Sequence, residues 1–428
     1  MRYHGLDFLR AAMMLLGIAL HAGVMYMPYP HENDAVLILA DSLNPFRDIG
    51  SYSMMAQRSV FLIHFFRMPA FMLLAGFFAA LLVKNRGFGH LAKNRGQRIL
   101  LPLILFWFIL WPMDNFSWSL GRAVMSDETG LTSLLAIIQN NFTWKHLPFL
   151  GEKPPHTMHL WFIHYLVIFY LVSVPVIYIC SKHFTGLSGF FKRTTDFIFT
   201  SRLKIMIIPS LVMLSYLTLK SGTTFHFEVS FEFLPSITIL LNFIVFFLGG
   251  WVMYTRREVV EHFKKNVWFY TPIAVCLLLA MLWAAETHWH YEKLLGEDEN
   301  SAELISKKAA YLNLATGIQS ACVWFVIFSL IGLSEKFIAK SNPVISYFVD
   351  SSYWVYLIHR PFCIVFAALL TRWDVLGALK FFTVIVIVSI ICVVSYHYLV
   401  RNTWIGLLLN GRKKPRDFPL SCNLVESK

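Results

Sequence analysis

Charged residues are scarce in this sequence. Asp, Glu, Lys and Arg make up 14% of the 428 residues, whereas a typical soluble protein has about 25%. Hydrophobic residues make up 57% of the chain, and apolar runs of about twenty residues recur along its whole length. Because runs of this length can cross the hydrocarbon core of a bilayer, the composition excludes an ordinary soluble globular protein.

Cysteine and the common catalytic motifs are also sparse. The six cysteines are scattered without a CxxC pair, so we expect neither a disulfide framework nor a zinc site. No HExxH or HxH motif lies within an apolar run, and the close pair His288 and His290 lies in a segment that we predict to be a polar loop. The GxSxG elbow, the P-loop and the GxGxxG fingerprint are absent as well. We therefore expect no metal site and no common nucleotide site.

The apolar runs predict an all-α, polytopic helical membrane protein with about ten transmembrane helices. We expect spans near 8–28, 57–83, 98–113, 158–180, 204–220, 236–254, 267–285, 309–333, 346–370 and 378–400. Lys and Arg are concentrated in segments that fall on one side of this topology, namely 84–98, 181–203, 255–265 and 411–416. Basic residues in short loops mark the cytoplasmic side. Both termini are therefore predicted to be cytoplasmic, and the net charge of +12 gives no reason to expect nucleic-acid binding.

The first predicted span carries ionisable residues on one face. In "LDFLRAAMMLLGIALHAGVMYM" (6–27), Arg10 and His21 are eleven residues apart, so on a helix they differ by about 20° in direction and about 16 Å in height. Asp7 lies on nearly the same face. Each residue has a structural explanation, as an N-cap for Asp7, a snorkelling cation for Arg10 and a packing residue for His21. Ionisable residues inside a membrane, however, usually face a cavity or a substrate path.

Polar residues interrupt later spans in the same way. They are His64 and Arg67 in span two, Arg95 and Arg98 at the start of span three, His159, Trp161 and His164 in span four, and Tyr353, His359 and Arg360 in span nine. Arg95 and Arg98 also suit positive-inside charge, and Trp161 suits the interfacial aromatic belt. His164 is interpreted as a packing residue.

These segments resemble the acyltransferase-3 family of integral membrane acyltransferases. The resemblance rests on "RAAMMLLGIALH", on "RGQR", and on the ordered set "HFFRMPAFMLLAGFF", "HLWFIHYL" and "YFVDSSYWVYLIHRP". It covers about residues 5–402 and is closest to the branch of periplasmic glucan succinyltransferases. It implies a transmembrane acyltransferase domain at 1–402 and a basic cytoplasmic tail at 403–428, in an inner (plasma) membrane of bacterial type.

The resemblance implies an acyl-CoA donor on the cytoplasmic side, either acetyl-CoA or succinyl-CoA. It also implies an acceptor hydroxyl on a periplasmic glucan or another envelope polysaccharide. Guanidinium groups match phosphate geometry, so Arg10, Arg95 and Arg98 are the expected CoA-binding residues. His21 is expected to act as the general base, with an acyl-histidine route left open.

The remaining site residues are expected to surround the reacting groups. Candidate donors to the tetrahedral oxyanion are Tyr353, His359, His64 and Arg67. We expect Arg67, His159 and Trp161 to bind substrate, with Arg67 or Arg360 able to hold an added carboxylate.

Two other classes of function compete with an acyltransferase. A membrane transporter that exports saccharides or lipid-linked intermediates is the alternative, although the sequence shows no inverted repeat. A scaffold or sensor is the third class, and it would not need a buried stripe of Arg and His. In each case membrane lipid is the surrounding partner.

Overall fold

The computed structural model describes residues 3–27, 48–125, 131–141, 156–183, 206–220, 227–297, 301–338 and 342–416, with a few isolated positions between them. Over these residues the chain is helical and has no β-strand. Eight helical segments in this part of the chain are long and apolar enough to cross a membrane. The predicted all-α, polytopic fold class is thereby confirmed.

Thirteen α-helices, numbered here in chain order, form the described structure. They are α1 (His4–Val24), α2 (Met54–Arg95), α3 (Leu101–Met125), α4 (Leu131–Asn141), α5 (Trp161–His183), α6 (Ile207–Lys220), α7 (Ile237–Thr255), α8 (Glu258–Lys265), α9 (Val267–Glu297), α10 (Ala302–Phe337), α11 (Pro343–Leu370), α12 (Gly377–Ser395) and α13 (Trp404–Asn410). π-helical turns at Gly96–Leu100 and Tyr396–Val400 follow α2 and α12, and 3₁₀ turns at Ile49–Ser51 and Met158–Leu160 precede α2 and α5.

Every predicted span coincides with a helix, but the count differs from the prediction of ten. The spans predicted at 57–83 and 98–113 belong to one apolar segment of 71 residues, Met54–Val124. The span predicted at 204–220 is the helix Ile207–Lys220, which is shorter than the eight candidate segments. The cytoplasmic position of the termini stays a prediction.

Two segments that we predicted to be loops are helical. The basic segment 84–98 continues α2 and enters the π-helical turn, with a break at Gly87, where φ is 81° and ψ is 170°. A residue with a Cβ atom rarely adopts this conformation, so glycine permits the break. His288 and His290 lie within α9, which continues through the polar residues after 285 to Glu297.

Close backbone contacts position the central helices. A Cβ atom on Gly76 would lie 1.8 Å from the carbonyl oxygen of Phe247, and one on Gly250 would lie 1.8 Å from that of Leu73. These two glycines let α2 and α7 pack backbone against backbone, as small residues do in membrane helix pairs. The other side of α2 packs on α1, which also contacts α10, α11 and α12. The N-terminal helix is therefore enclosed by the bundle.

A buried lysine ties the segment before α2 to the turn between α11 and α12. Lys380 Nζ donates to Asp48 Oδ2 at 2.8 Å, to Ser51 Oγ at 2.8 Å and to the carbonyl of Thr371 at 3.1 Å. The exposed fractions of the Lys380 and Asp48 side chains are 0% and 3%. The backbone N–H of Asp48 donates to the carbonyl of Met25 at 3.1 Å, next to the end of α1.

Candidate functional site

One face of α1 carries residues that line two separate cavities of the bundle. Arg10, Met14, Gly17 and His21 follow one another at intervals of three or four residues and therefore share this face. Arg10 and Met14 line a cavity of about 290 Å³ near the start of α1, here called the inner cavity. His21 lines a second cavity of about 100 Å³ near the end of α1, here called the outer cavity. Arg10 and His21 thus both face the interior of the bundle.

Three arginines from two parts of the chain meet at the inner cavity. Arg10, Arg95 and Arg98 all line it. Arg10 forms an ion pair with Asp7 at 3.7 Å. Asp7 lies in the first turn of α1 and is not its N-cap, because the helix begins at His4 and its N-cap is Tyr3. The guanidinium of Arg95 lies 5.0 Å from the ring centre of Tyr170. This concentration of guanidinium groups suits a ligand that carries phosphate groups.

Tyr353 also lies at the inner cavity, apart from His21. Its side chain lines that cavity, and its hydroxyl is buried without a hydrogen-bond partner among the described residues. The structure therefore groups Tyr353 with the three arginines. It does not group Tyr353 with the imidazoles, although the sequence analysis named all of them together as candidates for catalysis.

Six residues predicted from four different spans line the outer cavity. They are His21, His64, Arg67, His159, Trp161 and Arg360. His359 lies beside them, with its ring centre 5.1 Å from that of His21 and 5.6 Å from that of His159. Spans one, two, four and nine thus bring their ionisable residues to one place.

Hydrogen bonds to backbone carbonyls hold His359 and His159 in place. The Nδ1 of His359 donates to the carbonyls of Val355 and Tyr356 at 2.9 and 2.8 Å, and its buried Nε2 has no partner among the described residues. The Nε2 of His159 donates to the carbonyl of Leu357 at 2.8 Å. In neutral imidazoles held in this way, the other ring nitrogen is an acceptor. No hydrogen bond fixes His21 within the described residues.

Arg67 is buried against the backbone of α1 between the two cavities. Its Nε donates to the carbonyl of Met13 at 2.7 Å, and its exposed fraction is 6%. A Cβ atom on Gly17 would lie 2.8 Å from Arg67 Nη2 and 3.0 Å from His359 Nε2. Because Gly17 has no side chain, both groups reach the face of α1 that runs between Arg10 and His21.

The two cavities share no lining residue among those described. Met14, Phe71 and Phe162 line the inner cavity close to the boundary with the outer one, since Phe71 lies one helical turn after Arg67 and Phe162 follows Trp161. The rings of Phe71 and Phe162 pack edge to face with centres 4.5 Å apart. Gly17, with Arg67 against it, comes next along the same face of α1. A ligand that spans both cavities has to pass this point.

A buried ion pair that the sequence does not predict lies beside the outer cavity. Arg360 Nη1 donates to Asp114 Oδ2 at 3.3 Å, and the side chains of Arg360 and Asp114 are 11% and 4% exposed. The guanidinium of Arg360 lies 5.6 Å from the ring centre of Trp118, and both of these side chains line the cavity. The third span was predicted to end at residue 113, whereas α3 continues to Met125 and carries Asp114 and Trp118 to the site. An isolated Asp in an aromatic-rich stretch was the available signal.

The imidazoles are not arranged as a metal centre. In the part of the chain that the structure describes, no group of three or more His, Cys, Asp or Glu residues is positioned to hold a metal ion. Two cations, Arg67 and Arg360, line the same cavity. Their positive charge opposes the binding of a further cation.

Comparison with known proteins assigns the chain to a family. The family model described as an acyltransferase domain, of the acyltransferase-3 type, matches residues 3–397. The chain belongs to the acyltransferase-3 family. With its apolar helices, it is a multi-pass membrane acyltransferase. The family match covers the residues that line the outer cavity and all the inner-cavity residues except Leu409, Asn410 and Arg412.

Curated relatives of this acyltransferase align over almost the whole chain. The glucans biosynthesis protein C of Escherichia coli strain K12 is 24% identical over 421 residues, which cover 96% of this chain and 95% of the relative. The protein of the same name from Salmonella typhimurium is 24% identical over 431 residues, with the same coverage. No significant match to a solved structure was found.

Proposed function

We propose that this membrane acyltransferase moves an acyl group from acyl-CoA to a hydroxyl group of a glycan. The donor binds from the inner cavity, and the acceptor enters the outer cavity. The observation that carries the proposal is the face of α1, which presents Arg10 to one cavity and His21 to the other. A reaction between substrates from opposite sides of a membrane needs groups that bind each substrate within reach of the other.

The inner cavity suits the polar end of CoA. CoA carries several phosphate groups at one end and the thioester at the other, and Arg10, Arg95 and Arg98 supply cations in one place. Arg10 and His21 are separated by about 16 Å along the helix, which is comparable with the reach of the pantetheine arm. In the proposed complex this arm lies along Met14 and Gly17.

His21 is the proposed general base. It takes the proton from the acceptor hydroxyl while the hydroxyl oxygen attacks the thioester carbonyl. An ester C–O bond forms, the C–S bond breaks, and the imidazolium returns the proton to the departing CoA thiolate. An ordinary imidazole is mostly uncharged at neutral pH, as this role requires. His359 is the other candidate for the general base, because its Nε2 is an acceptor without a partner among the described residues and its ring centre lies 5.1 Å from that of His21.

Arg67 is the proposed donor to the tetrahedral oxyanion. Tyr353 lies at the other cavity, and the free nitrogen of His359 is an acceptor. His64 Nε2 lies 3.3 Å from the carbonyl of Phe227 and is engaged there. Arg67 keeps its Nη groups next to the boundary of the outer cavity, where His21 also lies. A fixed guanidinium is well suited to developing negative charge.

The outer cavity suits a sugar acceptor. Trp118 and Trp161 line it together with His159, which gives flat apolar surfaces beside polar groups. The relatives are named for glucan biosynthesis, and we propose a periplasmic glucan or another envelope polysaccharide as acceptor, in a bacterial inner membrane. The proposed acyl group is succinyl or acetyl, and the cations Arg67 and Arg360 favour an acyl group that carries a carboxylate.

The test is acyl transfer by the purified protein in lipid vesicles. Acetyl-CoA and succinyl-CoA, each labelled in the acyl group, are supplied separately on one side, with a gluco-oligosaccharide on the other. We expect label on the oligosaccharide with one of the donors, and a loss of about 10²- to 10⁴-fold in rate for His21→Ala. His290→Ala, which changes an exposed histidine of α9, is the matched control.

Two results would contradict the proposal. Near-normal transfer by His21→Ala would remove both the general-base and the acyl-histidine routes. Movement of the oligosaccharide across the vesicle membrane without label would favour the exporter instead.

A further inference from the structure

The chain after α12 is fixed to the end of the bundle where the inner cavity lies. Residues 404–416, here called the C-terminal strap, consist of α13 and the extended segment that follows it. Asn410 Nδ2 donates to the carbonyl of Asp350 at 3.1 Å. Arg401 Nε donates to the carbonyl of Pro415 at 2.6 Å, and Arg416 Nη2 donates to that of Tyr398 at 3.1 Å. These contacts hold the strap against α11 and the end of α12.

The strap forms part of the wall of the inner cavity. Leu409, Asn410 and Arg412 line that cavity together with Arg98. Gly411 ends α13 in the left-handed conformation, with φ 73°, and a Cβ atom there would lie 1.5 Å from Arg98 Nη2. Glycine is favoured at this position, because it adopts the left-handed conformation without strain and leaves room for Arg98. The turn thus brings Arg412 to the same cavity as Arg95 and Arg98.

The strap also changes the charge of the cavity through an ion pair. Asp350, near the start of α11, lines the inner cavity. Lys414 Nζ donates to Asp350 Oδ2, and both side chains are largely buried. Without Lys414 the carboxylate would face a phosphate ligand with an uncompensated negative charge, and like charges at this range repel.

We propose that the C-terminal strap is a working part of the donor site. Arg412 supplies a fourth guanidinium to the phosphate groups of the donor, and Lys414 neutralises Asp350 so that the phosphate groups can bind. This inference rests on the proposed function of the inner cavity. It assigns a role in donor binding to part of the tail that the sequence predicts to be basic and cytoplasmic.

The test measures the affinity of the purified protein for CoA by isothermal titration calorimetry in detergent. We expect Arg412→Ala to bind CoA about ten- to hundred-fold more weakly, as the loss of a charge-assisted contact would give. Lys413→Ala is the matched control, because Lys413 is exposed and does not line the cavity. Its affinity is expected to equal that of the unmodified protein.

Lys414 requires a rescue experiment, because its loss also removes a contact that holds the strap. We expect Lys414→Ala to weaken CoA binding, and Lys414→Ala combined with Asp350→Asn to restore most of the affinity. Asp350→Asn alone separates the two roles, because it also breaks the ion pair but leaves Lys414 positive beside the cavity. It should bind CoA at least as tightly as the unmodified protein, whereas a strap that only stabilised the fold should lose affinity. Failure of the rescue would overturn the electrostatic part of the proposal.

CoA binding by the arginine variants separates the role of the strap from the proposed function of the inner cavity. If Arg10→Ala and Arg95→Ala weaken CoA binding while Arg412→Ala does not, the strap is not part of the donor site and the inner cavity still is. If none of the three arginine variants changes the affinity, the inner cavity is not the donor site, and both proposals fail.

Discussion

Arg67 and Gly17 meet where α2 passes α1, so closely that a Cβ atom added to Gly17 would lie 2.8 Å from Arg67 Nη2. The guanidinium is held there by its bond to the carbonyl of Met13. This contact lies on the face of α1 between Arg10 and His21, at the boundary of the two cavities. In the proposed reaction the acyl-carrying arm of the donor passes the same point.

A side chain at Gly17 is expected to block acyl transfer without preventing donor binding. Gly17→Leu would displace Arg67 and His359 and occupy the route between the cavities, so we expect at least about a 100-fold loss in the transfer rate. The affinity for CoA, measured by calorimetry, should fall far less than the transfer rate, because the phosphate groups bind at Arg10, Arg95 and Arg98 rather than at Gly17. Gly317→Leu is the control, since a Cβ atom at Gly317 meets nothing within 4 Å. Normal transfer by Gly17→Leu would show that the donor takes another route.

Removal of the Arg67 guanidinium is expected to slow the chemical step. Arg67→Gln should lower kcat about 10²- to 10³-fold, the effect of losing one oxyanion donor, with little change in KM for the donor. Arg58→Gln on the same helix is the control, because Arg58 pairs with Glu286 at the surface and is 53% exposed. Steady-state kinetics of both variants would test this role. A rise in KM with unchanged kcat would make Arg67 a substrate-binding residue instead.

The ion pair of Asp114 and Arg360 is expected to affect the choice of acyl group. Asp114→Asn removes the carboxylate charge but keeps an acceptor for Arg360, so the guanidinium becomes available to an anionic acyl chain. We expect the ratio of kcat/KM for succinyl-CoA to that for acetyl-CoA to rise about tenfold or more. The measurement is the competition of the two labelled donors. An unchanged ratio would place the acyl group away from Arg360.

The pair of Lys380 and Asp48 is expected to govern stability. Lys380→Met leaves the buried carboxylate of Asp48 unpaired, which should lower the free energy of unfolding by about 3–5 kcal/mol. Lys380→Met with Asp48→Leu removes both charges and should recover most of that loss. Thermal unfolding in detergent would measure the three proteins. Equal losses in the single and double variants would show that the hydrogen bonds to Ser51 and Thr371 are the important contacts.

The helices and the shared face of α1 follow from the sequence. Apolar length places every span, and a separation of eleven residues is enough to put Arg10 and His21 on one side of a helix. The same reasoning selects His64, Arg67, His159 and His359 as ionisable residues in apolar surroundings, and the structure places them near His21. Their chemical roles stay predictions.

Contacts between distant segments do not follow from periodicity. The pairing of Asp114 with Arg360 joins α3 to α11, and Arg412 reaches the inner cavity only because the strap folds back on the bundle. Gly17 is also absent from the sequence analysis, since the missing side chain matters only once Arg67 is packed against it. Likewise, the edge-to-face packing of Phe71 on Phe162 at the inner cavity joins two helices, α2 and α5, that the sequence does not pair.

The hydrogen bond from Asp48 to Met25 has a practical consequence for experiments on this chain. Residues 28–47 leave and rejoin the described structure at neighbouring points, because that bond is 3.1 Å long and Ser53 N–H bonds to the carbonyl of Tyr26 at 2.8 Å. These two bonds hold the ends of the segment 28–47 together, so an epitope or protease site inserted within that segment should leave the spacing of α1 and α2 unchanged. Accessibility of such an insertion in intact and opened vesicles would report directly which side of the membrane the imidazole cluster faces.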